Sequence, residues 1–179
     1  MDEEKEKYFI DVQLKERELI QSLFNNYFKK RNCTDLKTTP LTGFSHYDGT
    51  FKSGNTNVVF EFKRRNISSS KFGDTFIEAY KFIELYEHHK KGNYTLFIIE
   101  YDDFYLLFDL QYEFFQYRLF EQQPNGFFCL LNASKNQFDS ERKQDKQVRY
   151  LPFHQATYIL NKGFAAVDYK TYLSFRATN

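Results

Sequence analysis

Tyr47-Asp48-Gly49-Thr50-Phe51-Lys52-Ser53-Gly54-Asn55-Thr56-Asn57-Val58-Val59-Phe60-Glu61-Phe62-Lys63 is the stretch from which the rest of this chain is read. Gly54-Asn55 suits a two-residue hairpin turn, so Ser53 and Thr56 become its closing pair. Counting outward, Phe51 faces Val58, Gly49 faces Phe60 and Asp48 faces Glu61, within a hairpin spanning Phe44 to Phe62. Strand side chains alternate, which puts Asp48, Thr50, Glu61 and Lys63 on one face. Tyr47, Phe51, Val58, Phe60 and Phe62 fall on the other, an apolar face made to pack under helices. A one-residue slip would turn that apolar set outward, so burial defends the register.

Opposed carboxylates on neighbouring strands have Cβ atoms about 4.5–5.5 Å apart and destabilise each other unless something relieves them. One relief is a divalent cation, and hard Mg²⁺ prefers carboxylate oxygens and water. The other is a raised pKa on one carboxyl. Lys63, two residues beyond Glu61 on the same face, is placed to orient a nucleophilic water or to stabilise negative charge. Taken alone, the same residues also describe an acidic sheet face with Lys63 as a cross-strand partner.

Working outward, Tyr8 to Lys30 reads as an amphipathic helix. Phe9, Val12, Ile20, Leu23, Phe24, Tyr27 and Phe28 share one side, and Lys29-Lys30-Arg31 complement the dipole at its end. A polar loop, Asn66 to Gly73, leads to a second helix with Asp74 as N-cap and Gly92 as its stop. Tyr94 to Glu100 is a nearly continuous apolar run, the pattern of a strand covered on both faces. Asp102-Asp103 turns the chain back into Phe104 to Leu110. Beyond it come a short helix over Tyr112 to Phe120, strands at Phe127 to Leu131 and Gln147 to Leu151, and a last helix near His154 to Asn161. The class is α/β (or α+β), a central mixed β-sheet flanked by helices, in one domain over 1–179 with its core at about 9–110 and an elaboration over 111–179.

At the hairpin the chain resembles the PD-(D/E)xK nuclease superfamily, whose signature is an Asp on one strand and Glu-x-Lys on the next. Here these are Asp48 and Glu61-Phe62-Lys63, and the helix–hairpin–helix–strand order is similar over residues 9 to 110. The family's proline before the Asp is Tyr47 here. The resemblance implies a restriction-endonuclease-like core and a metal-dependent nuclease, with DNA the expected substrate and RNA left open. It implies Mg²⁺ (Mn²⁺ able to substitute) held by Asp48, Glu61 and the Phe62 carbonyl, with Lys63 catalytic. Archaeal Holliday-junction resolvases and other branches place a glutamate on the first helix facing the site. Glu16-Arg17-Glu18-Leu19-Ile20 is similar, and Glu16 lies within the apolar stripe, where a carboxylate needs a partner or a metal. A snorkelling or lysine-paired Glu16 accounts for the stripe equally well.

Arg64, Arg65 and Lys71 flank Ser68-Ser69-Ser70, a basic and hydroxyl-bearing loop suited to phosphate contacts or simply to solvent. His46 falls on the Asp48 face, within reach of phosphate. Glu78 and Lys81, in a supporting role, either lean toward the site or form an i,i+3 salt pair, and the salt pair is the preferred reading. His88-His89 is read as surface. Lys135, Arg142, Lys143, Lys146 and Arg149 are read as a charged loop.

Composition excludes more than it selects. A net charge of +1 provides no global field for nucleic acid, so any such contact is local. The 22 Phe and 14 Tyr are mostly core, because no apolar run approaches the about 18 residues of a membrane span. The acidic start Met1-Asp2-Glu3-Glu4 is unlike a signal peptide, and Cys33 and Cys129 read as buried free thiols. A cytoplasmic protein with a nucleic-acid partner and no membrane is expected, with homodimerisation left open. A non-catalytic nucleic-acid- or protein-binding module on the same fold is the alternative. A third reading, an aromatic-rich interaction protein, requires that Glu16, Asp48 and Glu61 do not converge.

Overall fold

A computed structural model describes residues 3–40, 45, 47–120, 126–136 and 139–177. The hairpin forms as the turn chemistry dictates: β2 (Gly49–Ser53) pairs with β3 (Thr56–Arg64) in the register Ser53↔Thr56, Phe51↔Val58, Gly49↔Phe60. Gly54 takes φ +58 while Asn55 stays on the ordinary side, the pattern of a II′ turn. A strand that the sequence reading missed, β1 (Cys33–Thr38), extends the sheet beyond β2.

Polypeptide then leaves the sheet and returns beside β3 as β5 (Tyr94–Glu100), parallel to it and in the register Glu61↔Phe97, Arg64↔Glu100. Antiparallel β6 (Phe104–Asp109), β9 (Tyr158–Asn161) and β10 (Ala166–Val167) complete the order β1-β2-β3-β5-β6-β9-β10. This is a central mixed sheet. A second, antiparallel sheet joins β4 (Asp74–Glu78), β8 (Asp139–Pro152) and β7 (Cys129–Asn136).

Alternation distributes the aromatics. Phe51, Val58, Phe60, Phe62, Leu96 and Ile98 bury one face of the central sheet under α1 (Glu3–Leu23) and its π-helical continuation Phe24–Phe28. Val59, Phe97, Ile99, Leu106 and Phe108 bury the other against α2 (Ala79–Lys90), α3 (Gln111–Phe120) and α4 (Tyr169–Ala177). Helices therefore flank the sheet on both faces.

Several local expectations change. Asp74 opens a strand instead of capping a helix, because Asp74–Glu78 pairs with Val148–Pro152, and Glu78 takes the N-cap position. His154 to Asn161 is a short 3₁₀ turn followed by β9, since Tyr158 to Asn161 finds the open edge of β6. Phe9 is exposed and burial on α1 begins at Ile20, so the first turns reach past the core. Tyr47 packs on the α2 side against His88, ring centroids 4.9 Å apart, which also makes His88 half-buried. Cys33 is buried and Cys129 exposed.

Candidate active site

The candidate site lies where β2 stops and β3 runs on. Asp48 precedes β2; its N–H donates to the Phe60 carbonyl (2.9 Å) and its carbonyl accepts from Thr39 N–H (2.9 Å). With its backbone turned away, the Asp48 carboxylate takes over as acceptor: Phe62 N–H donates to Oδ2 at 2.7 Å. The side chain is thereby pinned against β3. A strand residue's N–H and C=O point to the same side, so the Phe62 carbonyl also faces the side that β2 vacates.

Glu61, next along β3 from the Phe60 that faces Gly49 and within the field of the Asp48 carboxylate, is 1% exposed. Its Oε1 accepts from Lys81 Nζ on α2, and its Oε2 is buried with no N–H or hydroxyl donor among the described residues. Burial, then the Asp48 charge, push the Glu61 carboxyl up to about 8 against the pull of Lys81. The Lys81 ammonium is held charged by Glu61 and Asp48 despite its own burial.

Lys63 is half-buried and makes no ion pair among the described residues; burial, then Lys81 and Arg65, lower its pKa. Glu16 is half-buried on α1. Burial first and Asp48 second raise its pKa, opposed by Lys63, Lys81 and Arg64. Glu16 thus lies in the electrostatic field of Asp48, while among the described residues Glu16, Asp48 and Glu61 do not form a cluster of three close enough to hold a metal ion. Arg17 holds this part of α1 in place, donating to Thr38 Oγ1 (3.0 Å) and to the Thr39 carbonyl.

The flanking residues divide. Arg64 pairs with Glu100 (3.2 Å), a buried carboxylate that also takes Lys162 (2.7 Å). Sequence reasoning missed Glu100, whose role depends on the parallel register that sets it beside Arg64. Arg65 is half-buried with its guanidinium 4.5 Å from the Phe76 ring centroid. Lys71 is exposed. The serine loop is committed inward: Asp103 accepts from Ser68 Oγ (2.8 Å), Ser69 N–H (2.9 Å) and Ser69 Oγ (3.0 Å). Ser68 and Ser69 are thus engaged by the protein, against the expectation of phosphate donors. The expected Glu78–Lys81 pair does not form, because β4 carries Glu78 to Lys146 of β8 (2.7 Å) and leaves Lys81 to Glu61. Arg149 is likewise tied, to Glu113 at 2.6 Å. His46 lies outside the described residues, as do the side chains of Lys135, Arg142 and Lys143.

No family model and no curated protein matches this sequence. Among solved structures, the chain is similar to a Holliday junction resolvase from Archaeoglobus fulgidus, an archaeal hyperthermophile. The TM-score is 0.40 and the identity 10%, over 83% of this chain and 94% of that one. A likeness of that size decides nothing about chemistry, which rests on the side chains.

Those side chains fit a hard divalent cation. Among the described residues no three His, Cys, Asp or Glu side chains stand as a ready-made cluster. Mg²⁺ does not need one: it binds through one or two carboxylates and keeps several waters. Glu61 Oε2, without a donor among the described residues and beside Asp48, is the atom such an ion would satisfy. No helix among the described residues is long and apolar enough to cross a membrane.

Proposed function

We propose that this chain is a Mg²⁺-dependent nuclease of the PD-(D/E)xK type, hydrolysing phosphodiester bonds of nucleic acid, with DNA as the expected substrate. The observation that carries this reading is the Asp48 carboxylate, pinned to β3, beside a buried Glu61 whose second oxygen has no donor among the described residues, with Lys63 two residues along and Glu16 in the field of Asp48. Asp48, Glu61 and the Phe62 carbonyl would hold the ion, with Glu16 assisting a second. Bound there, Mg²⁺ would polarise the scissile phosphate and lower the pKa of a water.

The chain's own residues do the rest. Phe62 N–H holds one oxygen of the Asp48 carboxylate, which leaves the other for the ion. Lys63, unpaired among the described residues, orients the attacking water and stabilises negative charge as it develops on the phosphate. Lys71, exposed on the loop after β3, contacts the phosphate backbone, and Arg64 and Arg65 shape the edge between them.

Cleavage of single-stranded, duplex and branched DNA, with Mg²⁺ or Mn²⁺ and with EDTA, tests the reading. Wild-type protein cleaves at least one substrate only with metal. Asp48→Asn and Lys63→Ala lose that activity while circular dichroism and melting stay native-like. Full activity in either variant removes the proposal. A non-catalytic module on the same fold is the second reading, favoured by the Lys81 ammonium that already neutralises Glu61. It requires that the wild type cleave none of the substrates at any metal concentration.

A further inference from the structure

We infer that Lys81 is a built-in counter-ion which occupies the cation place of the Asp48–Glu61 pair and must leave Glu61 before a divalent ion binds, so that it sets the metal concentration at which the site loads. The inference rests on the reading of Asp48 and Glu61 as a cation-binding pair.

Lys81 stands in the first turn of α2, directly after β4, and from there its ammonium reaches Glu61 Oε1. Among the described residues it is the one cation in hydrogen-bond contact with either carboxylate. Lys63 makes no ion pair there, and Arg64 is drawn away to Glu100. Glu78, three residues before Lys81 and the natural competitor for its charge, is satisfied by Lys146 at 2.7 Å and by the Tyr80 hydroxyl at 2.9 Å. The fold thus engages Glu78 elsewhere and leaves Lys81 to Glu61.

Two carboxylates in a poorly solvated place need positive charge to remain there. One ammonium meets part of that need, and Glu61 Oε2 is left without a donor among the described residues. A divalent ion at Oε2 meets more of it, but an ammonium left on Oε1 of the same carboxylate would stand a few ångström from that ion, and like charges so close repel strongly in a low-dielectric site. The Lys81 side chain is 21% exposed, so the head group has solvent to swing into when it is displaced. The metal-free protein keeps its acidic pair partly neutralised, and loading becomes an exchange of one cation for another.

Isothermal titration of full-length protein with Mn²⁺, alongside melting in EDTA and in Mn²⁺, tests this. Lys81→Met is expected to bind Mn²⁺ about tenfold more tightly or better. It should melt below wild type in EDTA and recover more than wild type on adding Mn²⁺. Lys81→Arg, which keeps the charge, retains the weaker wild-type affinity. Lys81→Gln serves as the neutral variant if Lys81→Met does not fold. Equal or weaker Mn²⁺ binding by the neutral variant than by wild type overturns the inference and leaves the metal-binding reading standing. No Mn²⁺ binding by wild type or by any variant overturns both.

Discussion

Replacing Glu61 by glutamine isolates the electrostatic state of the candidate site from its activity. The change is close to isosteric, and Glu61 is 1% exposed, so packing is nearly preserved. What disappears is a carboxyl moved from 4.5 to about 8 by burial and by Asp48. The folded chain therefore keeps a proton between those values that the unfolded chain gives up. Stability from this group is complete below the unfolded value and is lost as pH rises through the folded one. Each pH unit between the two is worth about 1.4 kcal/mol, which makes the ceiling on the swing of order 5 kcal/mol. Urea unfolding in EDTA at a series of pH values from 4 to about 9 measures it. Wild-type protein should lose stability relative to Glu61→Gln between 4.5 and about 8 and no further above it, since the variant lacks this contribution. Parallel profiles, which mean that Glu61 titrates alike in both states, or wild-type stability that rises relative to the variant with pH, which means a folded value below the unfolded one, would refute the reasoning.

Three structural perturbations follow from packing and hydrogen bonding. Phe82→Ala empties the centre of the α2-side core, where the 0%-exposed ring meets Phe114, Tyr117, Phe127 and Phe128, and should lower unfolding free energy by about 3–5 kcal/mol in urea. Gly49→Ala would set a Cβ 2.6 Å from the Lys37 carbonyl oxygen and 2.7 Å from the Phe60 ring. Backbone cannot yield there cheaply, so a loss of about 1–3 kcal/mol is expected in the same assay, beside the residue that carries the Asp48 carboxylate. Asp103→Ala leaves Ser68 and the buried Ser69 without their acceptor. It should cost about 1–3 kcal/mol and open the 66–73 loop to limited proteolysis, an effect absent from wild type.

The hairpin shows how far sequence can reach. Its register was legible because one tight turn fixes the pairing and one apolar face defends it, so Phe51 could be set opposite Val58 and Gly49 opposite Phe60 from the sequence. The strand Tyr94–Glu100 was legible for a related reason: a run apolar at every position has to be covered on both sides. Where the reading failed, the local signal was weak and a distant partner decided. Asp74–Glu78 looks like the approach to a helix until β8, more than sixty residues further on, pairs with it. Tyr158–Asn161 becomes a strand only because β6 has an open edge.

Sequence by itself determined the hairpin, the class of fold and the set of acidic and basic residues gathered near one turn, since turn chemistry and side-chain alternation act over a few residues. Tertiary structure alone decided what each charge touches. It sent Lys81 to Glu61 instead of Glu78, drew Arg64 to Glu100, and closed the serine loop on Asp103. The reason is physical: ion pairs and burial depend on distances across elements, and those distances are set only when the sheet closes its order and the helices settle on its two faces.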